Sequence, residues 1–138
     1  MSTHALVGVM HGDRFKAIYV HSDGYPSYVG KVLLENYNSA KANELVSMGD
    51  CSMLGKEIGV KINFNDRMQY DNENVALQCR FYNRDRDEST SYTSYLSLVE
   101  AKLDGYDHIY VMRDGEWYYG IDNTVLLSDM FDKNKEIA

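Results

Sequence analysis

The chain has 138 residues, of which 44% are apolar and 25% are charged, and its net charge is −7. This length and composition fit one globular domain over residues 1–138 with a sizeable buried core. The negative charge argues against direct binding to nucleic acids or to anionic membranes, because both need a positive field. No segment approaches the roughly 20 apolar residues that cross a bilayer, so we expect no membrane association.

Two features of the composition bear on location and binding. Cys51 and Cys79 lack the spacing of a redox or zinc motif, and the sequence shows no signal peptide. We therefore expect a reduced, cytoplasmic protein. Tyrosine is common, with 12 residues against four Phe and one Trp. Tyrosines suit half-buried sheet faces, and they are also enriched at binding surfaces.

The first half of the chain predicts a hairpin followed by two helices. β-Rich runs at 5–10 and 15–21 flank a short Gly-Asp turn. Helical spacing of apolar residues then continues over 27–37. Asn38-Ser39 offers an N-cap for a second helix, which Gly49 ends.

The second half predicts further strands and one more hairpin. We predict a short edge strand at 61–64, a polar connection at 65–74 and a strand at 75–82. Residues 90–103 fit two structures, because apolar spacing favours a helix whereas the Ser, Thr and Tyr content favours a strand; we predict a helix over 93–103. Asp114-Gly115 between two β-rich runs predicts a hairpin over 108–121. Residues 50–59 predict a compact turn or a single helical turn. A charged loop is predicted at 83–88 and a short helix at 125–131.

These elements predict an α+β fold. No repeat, linker or low-complexity segment divides the chain. We expect a single domain with a mainly antiparallel sheet, hairpins, and two to four short helices packed on one face.

A candidate site lies where the second strand gives way to a helix. His21 and Asp23 stand there beside Gly24, Tyr25 and Pro26. A histidine two residues from an aspartate can serve as a polarised general base or as part of a metal site. The alternative is a structural turn, in which Asp23 makes an Asx-type hydrogen bond and His21 is half-buried.

A second candidate is the densest charge cluster of the chain, Arg80 and residues 84–88. Its three arginines, Arg80, Arg84 and Arg86, are able to hold a small anionic ligand in a bidentate fork. Acids of equal number favour instead a solvated loop that neutralises its own charge.

Signatures of cofactors and of common enzymes are absent. The four histidines are scattered and the cysteines add no metal-ligand spacing, so we expect no metal or other cofactor. The sequence also lacks the motifs of phosphate-binding loops, dinucleotide-binding turns, serine hydrolases and zinc proteases. These absences favour a binding protein over an enzyme.

Three motifs resemble those of a small-protein family that is common in bacteriophage genomes and also occurs in bacteria. They are Ile-Tyr-Val-His-Ser-Asp-Gly-Tyr-Pro at 18–26, Gly-Asp-Cys-Ser-Met-Leu-Gly at 49–55 and Phe-Tyr-Asn-Arg-Asp-Arg at 81–86. The hairpin at 110–119 is also similar. Ser22 departs from the family pattern, which often has tryptophan there, and this departure reduces stacking at the turn.

The resemblance implies a phage-associated origin without a specific activity. Because polar blocks recur in the family at 21–26, 49–55 and 81–86, it also implies that these three loops meet in space. The implied binding site consists of polar and aromatic side chains, namely His21, Asp23, Tyr25, Asp50, Arg84 and Arg86.

Three functions fit these features. The favoured one is a phage-type acidic protein that binds a host or defence protein stoichiometrically in the host cytoplasm. If the partner is a defence protein, the role is anti-defence. The second is a protein that sequesters a nucleotide or signalling molecule, with Arg84 or Arg86 on its phosphate. The third is a hydrolase with His21 as its general base.

Overall fold

The computed structural model describes residues 3–59, 78–86, 88, 92–102, 105–120 and 125–131. In this part of the chain eight strands form one mixed sheet. The strands are β1 Ala5–His11, β2 Arg14–Val20, β3 Cys51–Met53, β4 Arg80–Phe81, β5 Thr93–Tyr95, β6 His108–Arg113, β7 Glu116–Tyr119 and β8 Val125–Leu126. The helical segments are a π-helix at Pro26–Gly30, α1 Lys31–Asn36, α2 Ser39–Ser47, α3 Tyr82–Arg86, α4 Leu98–Lys102 and a 3-10 helix at Leu127–Phe131. None of these helices is long and apolar enough to span a membrane.

The sheet is built around the β1–β2 hairpin. Its strand order is β4-β3-β2-β1-β6-β7-β8, and β5 also pairs with β2. β6 lies parallel to β1, with His108 opposite Ala5, and β3 lies parallel to β2 at Val20–Cys51. The other pairings between strands are antiparallel. Residues far apart in sequence therefore meet at the centre of the sheet.

Side-chain alternation gives the central strands two apolar faces. On one face, α1 and α2 pack over a large core cluster that includes Val7, Ile18 and Tyr110. On the other face, α4 packs over a smaller cluster around Leu6 and Phe15, which also includes Tyr95 of β5. The central strands are therefore buried on both sides.

The α+β class and the mainly antiparallel sheet are confirmed. α1 and α2 pack on one face, as predicted, whereas α4 packs on the other. The hairpin turn is also confirmed, because Asp114 and Gly115 have φ values of 52° and 82°, as a type I′ turn requires. Asn38 caps α2 by accepting a hydrogen bond from the Lys41 N–H at 2.9 Å.

Two segments predicted as turn and loop contain regular structure. In 50–59, residues 51–53 form β3, because Cys51 pairs with strands on both sides. In 83–88, α3 replaces the predicted charged loop. The Asp85 carboxylate stabilises this short helix by accepting a hydrogen bond from the Phe81 N–H at 2.8 Å.

The helix predicted over 93–103 is wrong in its first part, where β5 pairs with β2. α4 starts only at Leu98, after a capping box. Ser97 Oγ accepts from the Glu100 N–H at 3.2 Å, and Glu100 Oε2 accepts from the Leu96 N–H at 3.0 Å. The short helix predicted at 125–131 is likewise preceded by β8 and is a 3-10 helix.

Part of the middle of the chain lies outside the described residues. This applies to the predicted edge strand at 61–64, to the connection at 65–74 and to the first residues of the strand predicted at 75–82. Within 78–82, Arg80–Phe81 form β4, and α3 begins at Tyr82.

Candidate functional site

The turn after β2 is held by close backbone contact. The Gly24 N–H donates to the Thr3 carbonyl at 2.8 Å, and a Cβ on Gly24 would lie 2.7 Å from Ala5 Cβ. Gly24 is therefore required by close packing, while Asp23 adopts the left-handed conformation, with φ of 57°. Pro26 then begins the π-helix, where its missing N–H has no consequence.

The three polar blocks of the sequence meet through their backbones at the end of β2. His21 N–H donates to the Cys51 carbonyl at 3.1 Å, and Ser22 N–H donates to the Ser52 carbonyl at 3.0 Å. The Tyr82 N–H reaches the Asp50 carbonyl at 3.2 Å. Blocks 21–26, 49–55 and 81–86 are thus neighbours in space, on adjacent elements of the sheet.

Three of the predicted site residues keep polar side chains near this junction. Asp50 Oδ1 accepts a hydrogen bond from the Tyr19 N–H at 2.9 Å, and burial raises the pKa of the Asp50 carboxyl. Tyr25 is exposed, and its hydroxyl donates to Asp23 Oδ1 at 3.4 Å. Asp23 has this local contact in place of the predicted contact with His21.

Arg84 has a structural role in this arrangement. Its Nε donates to Asp85 Oδ1 at 2.9 Å, and its Nη1 donates to the Ile58 carbonyl at 2.9 Å. Its Nη2 donates to the Cys79 carbonyl and to Asp85 Oδ2, both at 3.1 Å. These bonds occupy donors of the Arg84 guanidinium, the group that the anionic-ligand hypothesis places on a phosphate. The side chain of Arg86 lies outside the described residues.

His21 instead belongs to a cluster with His4 and Tyr19. The Tyr19 hydroxyl contacts His21 Nδ1 at 2.5 Å and also contacts His4 Nδ1. The two imidazole centroids are 4.8 Å apart, and all three side chains are half-buried. We call His4, Tyr19 and His21 the histidine cluster. Sequence reasoning missed two of its members, although the register of the first hairpin, with Ala5 opposite Val20, places His4 next to His21.

The Tyr19 hydroxyl stays protonated over the whole physiological range. Burial, followed by the neighbouring Tyr82, Tyr106 and Asp50, raises the Tyr19 pKa to about 12. The Tyr19 ring also stacks on His4, with ring centroids 5.3 Å apart. The hydroxyl therefore carries one proton and contacts two imidazole nitrogens.

A simpler histidine–tyrosine pair lies on the opposite face at the same end of the sheet. His108 Nδ1 contacts the Tyr119 hydroxyl at 2.5 Å, and burial lowers the His108 pKa. The hydroxyl of the neighbouring Tyr110 is fully buried and donates to the Gly24 carbonyl at 2.7 Å. This pair contains one imidazole, so its hydroxyl is not shared between two rings. Among the described residues, no three His, Cys, Asp or Glu side chains are placed to share a metal ion.

A groove of about 530 Å³ lies at the other end of the sheet, between the end of α1 and the β6–β7 hairpin. The described residues that line it are Leu34, Glu35, Asn36, Tyr37, Asn38, Gly115, Glu116, Trp117, Leu126 and Ser128. Trp117 and Tyr37 form a buried floor, where the Trp117 indole N–H donates to the Tyr37 carbonyl at 2.9 Å. We call this feature the acidic groove.

The electrostatics of the acidic groove are one-sided. Glu35 and Glu116 are exposed at its rim, and its described lining contains no Lys, Arg or His. Neither carboxylate forms an ion pair with another described residue. In the described part of the chain the groove therefore combines an apolar floor with carboxylates that have no ion-pair partner. Sequence reasoning did not identify this combination, because the groove walls are about 80 residues apart.

None of the protein-family models, curated proteins and solved structures compared with the chain matches it. The resemblance to a phage-type family is therefore an interpretation of the three motifs alone. The case for function rests on the acidic groove and on the histidine cluster.

Proposed function

We propose that this protein is a small acidic binding protein that engages one copy of a basic protein, and that the acidic groove holds a Lys- or Arg-rich segment of that partner. The observation that supports this proposal is the pair of unneutralised carboxylates, Glu35 and Glu116, above an apolar floor.

Lysine and arginine side chains match both properties of the groove. Their aliphatic stems lie well on apolar surface while their charged heads reach polar groups. In the acidic groove, Leu34 and Leu126 offer apolar surface beside the indole of Trp117. An arginine head also forms bidentate bonds with a carboxylate.

The charge of the whole chain supports the same kind of partner. The net charge is −7, and residues 101–138 contain eight acidic and four basic residues. Such a field accelerates association with a basic partner, and the effect weakens with salt. Asp114 and Glu116, at the tip of the β6–β7 hairpin, are exposed and contribute to this field.

The phage-type motifs make a host or defence protein the partner that we propose. A protein that normally binds nucleic acid carries the required basic surface, so an acidic protein can occupy that surface stoichiometrically. The anionic-ligand alternative has weaker support, because Arg84 is engaged in structural hydrogen bonds.

Quantitative capture from a host lysate tests this proposal. The Glu35→Gln/Glu116→Gln double variant is compared with wild type and with Asp13→Asn/Glu44→Gln, which removes the same charge from exposed positions outside the groove lining. We expect the groove variant to bind the captured partner about tenfold more weakly, since two exposed charge pairs contribute about 1 kcal/mol or somewhat more.

The control variant should retain nearly all of the affinity. A partner that binds equally well to wild type and to the groove variant would contradict the proposal. So would a partner whose binding does not weaken as salt is added.

A further inference from the structure

The shared hydroxyl of the histidine cluster constrains the protons of both imidazoles. Tyr19 Oη contacts the Nδ1 atoms of His4 and His21, and a phenol has one proton to donate. When both rings are neutral, Tyr19 can donate to only one Nδ1. The other Nδ1 must therefore carry a proton and donate it to the Tyr19 oxygen.

The two imidazoles consequently hold opposite tautomers. The ring that accepts from Tyr19 has its proton on Nε2, and the ring that donates to Tyr19 has a bare Nε2. One Nε2 is thus an acid and the other a base. Because the ring centroids are 4.8 Å apart, one small molecule can contact both rings.

We propose that His4, Tyr19 and His21 form a proton relay that acts as a general acid–base site on uncharged carboxylic esters. This inference does not rest on the function proposed for the acidic groove, which lies at the other end of the sheet. It assigns His4 and His21 as catalytic residues. Tyr19 is a positioning residue, because it reaches the substrate only through the histidines.

The protons balance in one hydrolytic step. Water gives a proton to the bare Nε2 as its oxygen bonds to the ester carbonyl carbon, and the carbon–oxygen bond to the leaving group breaks. That histidine passes its Nδ1 proton to Tyr19, and Tyr19 passes its own proton to the other Nδ1. The second histidine gives its Nε2 proton to the leaving oxygen. The products are a carboxylic acid and an alcohol, and the relay ends with its two tautomers exchanged.

The charges around the cluster favour an uncharged substrate. Among the described residues, the charged side chains that hydrogen-bond to the cluster are Asp50, on the Tyr19 N–H, and Asp107, on the His4 N–H. Two carboxylates disfavour a phosphate ester, because like charges repel. Tyr106, whose ring centroid is 5.8 Å from that of Tyr19, adds an aromatic wall that suits an apolar ester.

The raised Tyr19 pKa supports this mechanism. Because burial lifts that pKa to about 12, the hydroxyl retains its proton when the histidines are neutral. A phenolate at this position would accept from both Nδ1 atoms and would give both rings the same tautomer.

Nitrogen NMR of labelled histidines tests the relay directly. At a pH where the His4 and His21 signals no longer change, we expect one ring protonated at Nδ1 and the other at Nε2, or averaged signals from exchange between these states. In Tyr19→Phe, both rings should revert to the Nε2–H form that free imidazole side chains favour. Two Nε2–H rings in the wild type would overturn the relay.

Hydrolysis of two esters tests the chemistry. For phenyl acetate, whose leaving group is more basic than p-nitrophenoxide, we expect His4→Gln, His21→Gln and Tyr19→Phe each to lower the rate at least about 10²-fold. For p-nitrophenyl acetate, whose leaving group needs little protonation, Tyr19→Phe should have a smaller effect. A purely structural role for Tyr19 predicts equal losses for both esters.

His11→Gln is the matched control, because His11 is exposed on β1 and outside the cluster; it should leave both rates unchanged. Absence of phenyl acetate hydrolysis above the rate in buffer alone, equal rates in wild type and Tyr19→Phe, or equal losses with both esters would each overturn the acid–base assignment. Faster hydrolysis of phenyl phosphate than of phenyl acetate would overturn the substrate class.

Discussion

The acidic groove and the histidine cluster lie at opposite ends of the sheet and use polar groups in opposite ways. The groove presents Glu35 and Glu116, whose charges find no ion-pair partner in the described part of the chain. In the histidine cluster, the imidazoles of His4 and His21 both contact the Tyr19 hydroxyl. Carboxylates without an ion-pair partner suit a ligand from outside, whereas a hydroxyl that two imidazoles share suits proton transfer within the cluster.

The largest expected effect is a difference in stability loss between substitutions in the floor of the acidic groove and substitutions at its rim. Trp117→Ala should lower the free energy of unfolding by about 3–5 kcal/mol, because it empties a core site and leaves the Tyr37 carbonyl without its donor. Glu35→Gln and Glu116→Gln should each change it by no more than about 0.5 kcal/mol. Urea denaturation curves measure both. A rim substitution as costly as the floor substitution would show that the carboxylates have structural partners.

An intermediate effect compares two tyrosine hydroxyls. Tyr110→Phe should cost about 1–3 kcal/mol of stability, because the Gly24 carbonyl then lies buried without its donor. Tyr19→Phe should cost about 1 kcal/mol or less, since both histidines of the half-buried cluster can bond to water instead. Equal losses in the two variants would contradict a solvent-accessible histidine cluster.

The smallest expected effect concerns pH and His108, which lies on the face opposite the histidine cluster. Burial lowers the His108 pKa below its ordinary value of 6.5, so the unfolded chain binds this proton more readily than the folded one. The stability that His108 contributes is therefore complete above about pH 6.5 and falls as the pH drops through the lowered pKa. Midpoints of urea unfolding at several pH values should show this loss in wild type, and His108→Gln should reduce it. An unchanged pH dependence in the variant would rule out His108 as its source.

Local chemistry was sufficient to predict the hairpins and α2. Strand alternation, the Asp114-Gly115 turn and the Asn38 cap each depend only on residues that are close in sequence. These signals can therefore be recognised in a single sequence. The capping box of Ser97 and Glu100 was equally local, and reading it would have placed the start of α4.

Long-range contacts decided the elements that sequence reasoning missed. β3 is three residues long and exists because Cys51 pairs with Val20 and Phe81. The parallel pairing of β1 with β6 joins Ala5 to His108, which no local pattern reveals.

In the candidate site, too, the placement of the segments was predictable, whereas the contacts of the side chains were not. The convergence of blocks 21–26, 49–55 and 81–86 followed from recurring motifs, but the use of each side chain did not. A charge pattern shows that Arg84 is near acids, yet it does not show that backbone carbonyls engage the guanidinium. The partner of His21 is Tyr19 because alternate residues of a strand share a face, whereas Asp23 has left the strand.

The most direct test of the proposed binding function uses Trp117, the only tryptophan of the chain, as a reporter in the groove. An oligo-arginine peptide is titrated into labelled protein while the indole N–H signal is followed by NMR. We predict a saturable one-to-one shift that is about tenfold weaker in affinity for Glu35→Gln/Glu116→Gln and unchanged for Asp13→Asn/Glu44→Gln. An indole signal that does not move, or that moves equally in all three proteins, would contradict binding of a basic segment in the acidic groove.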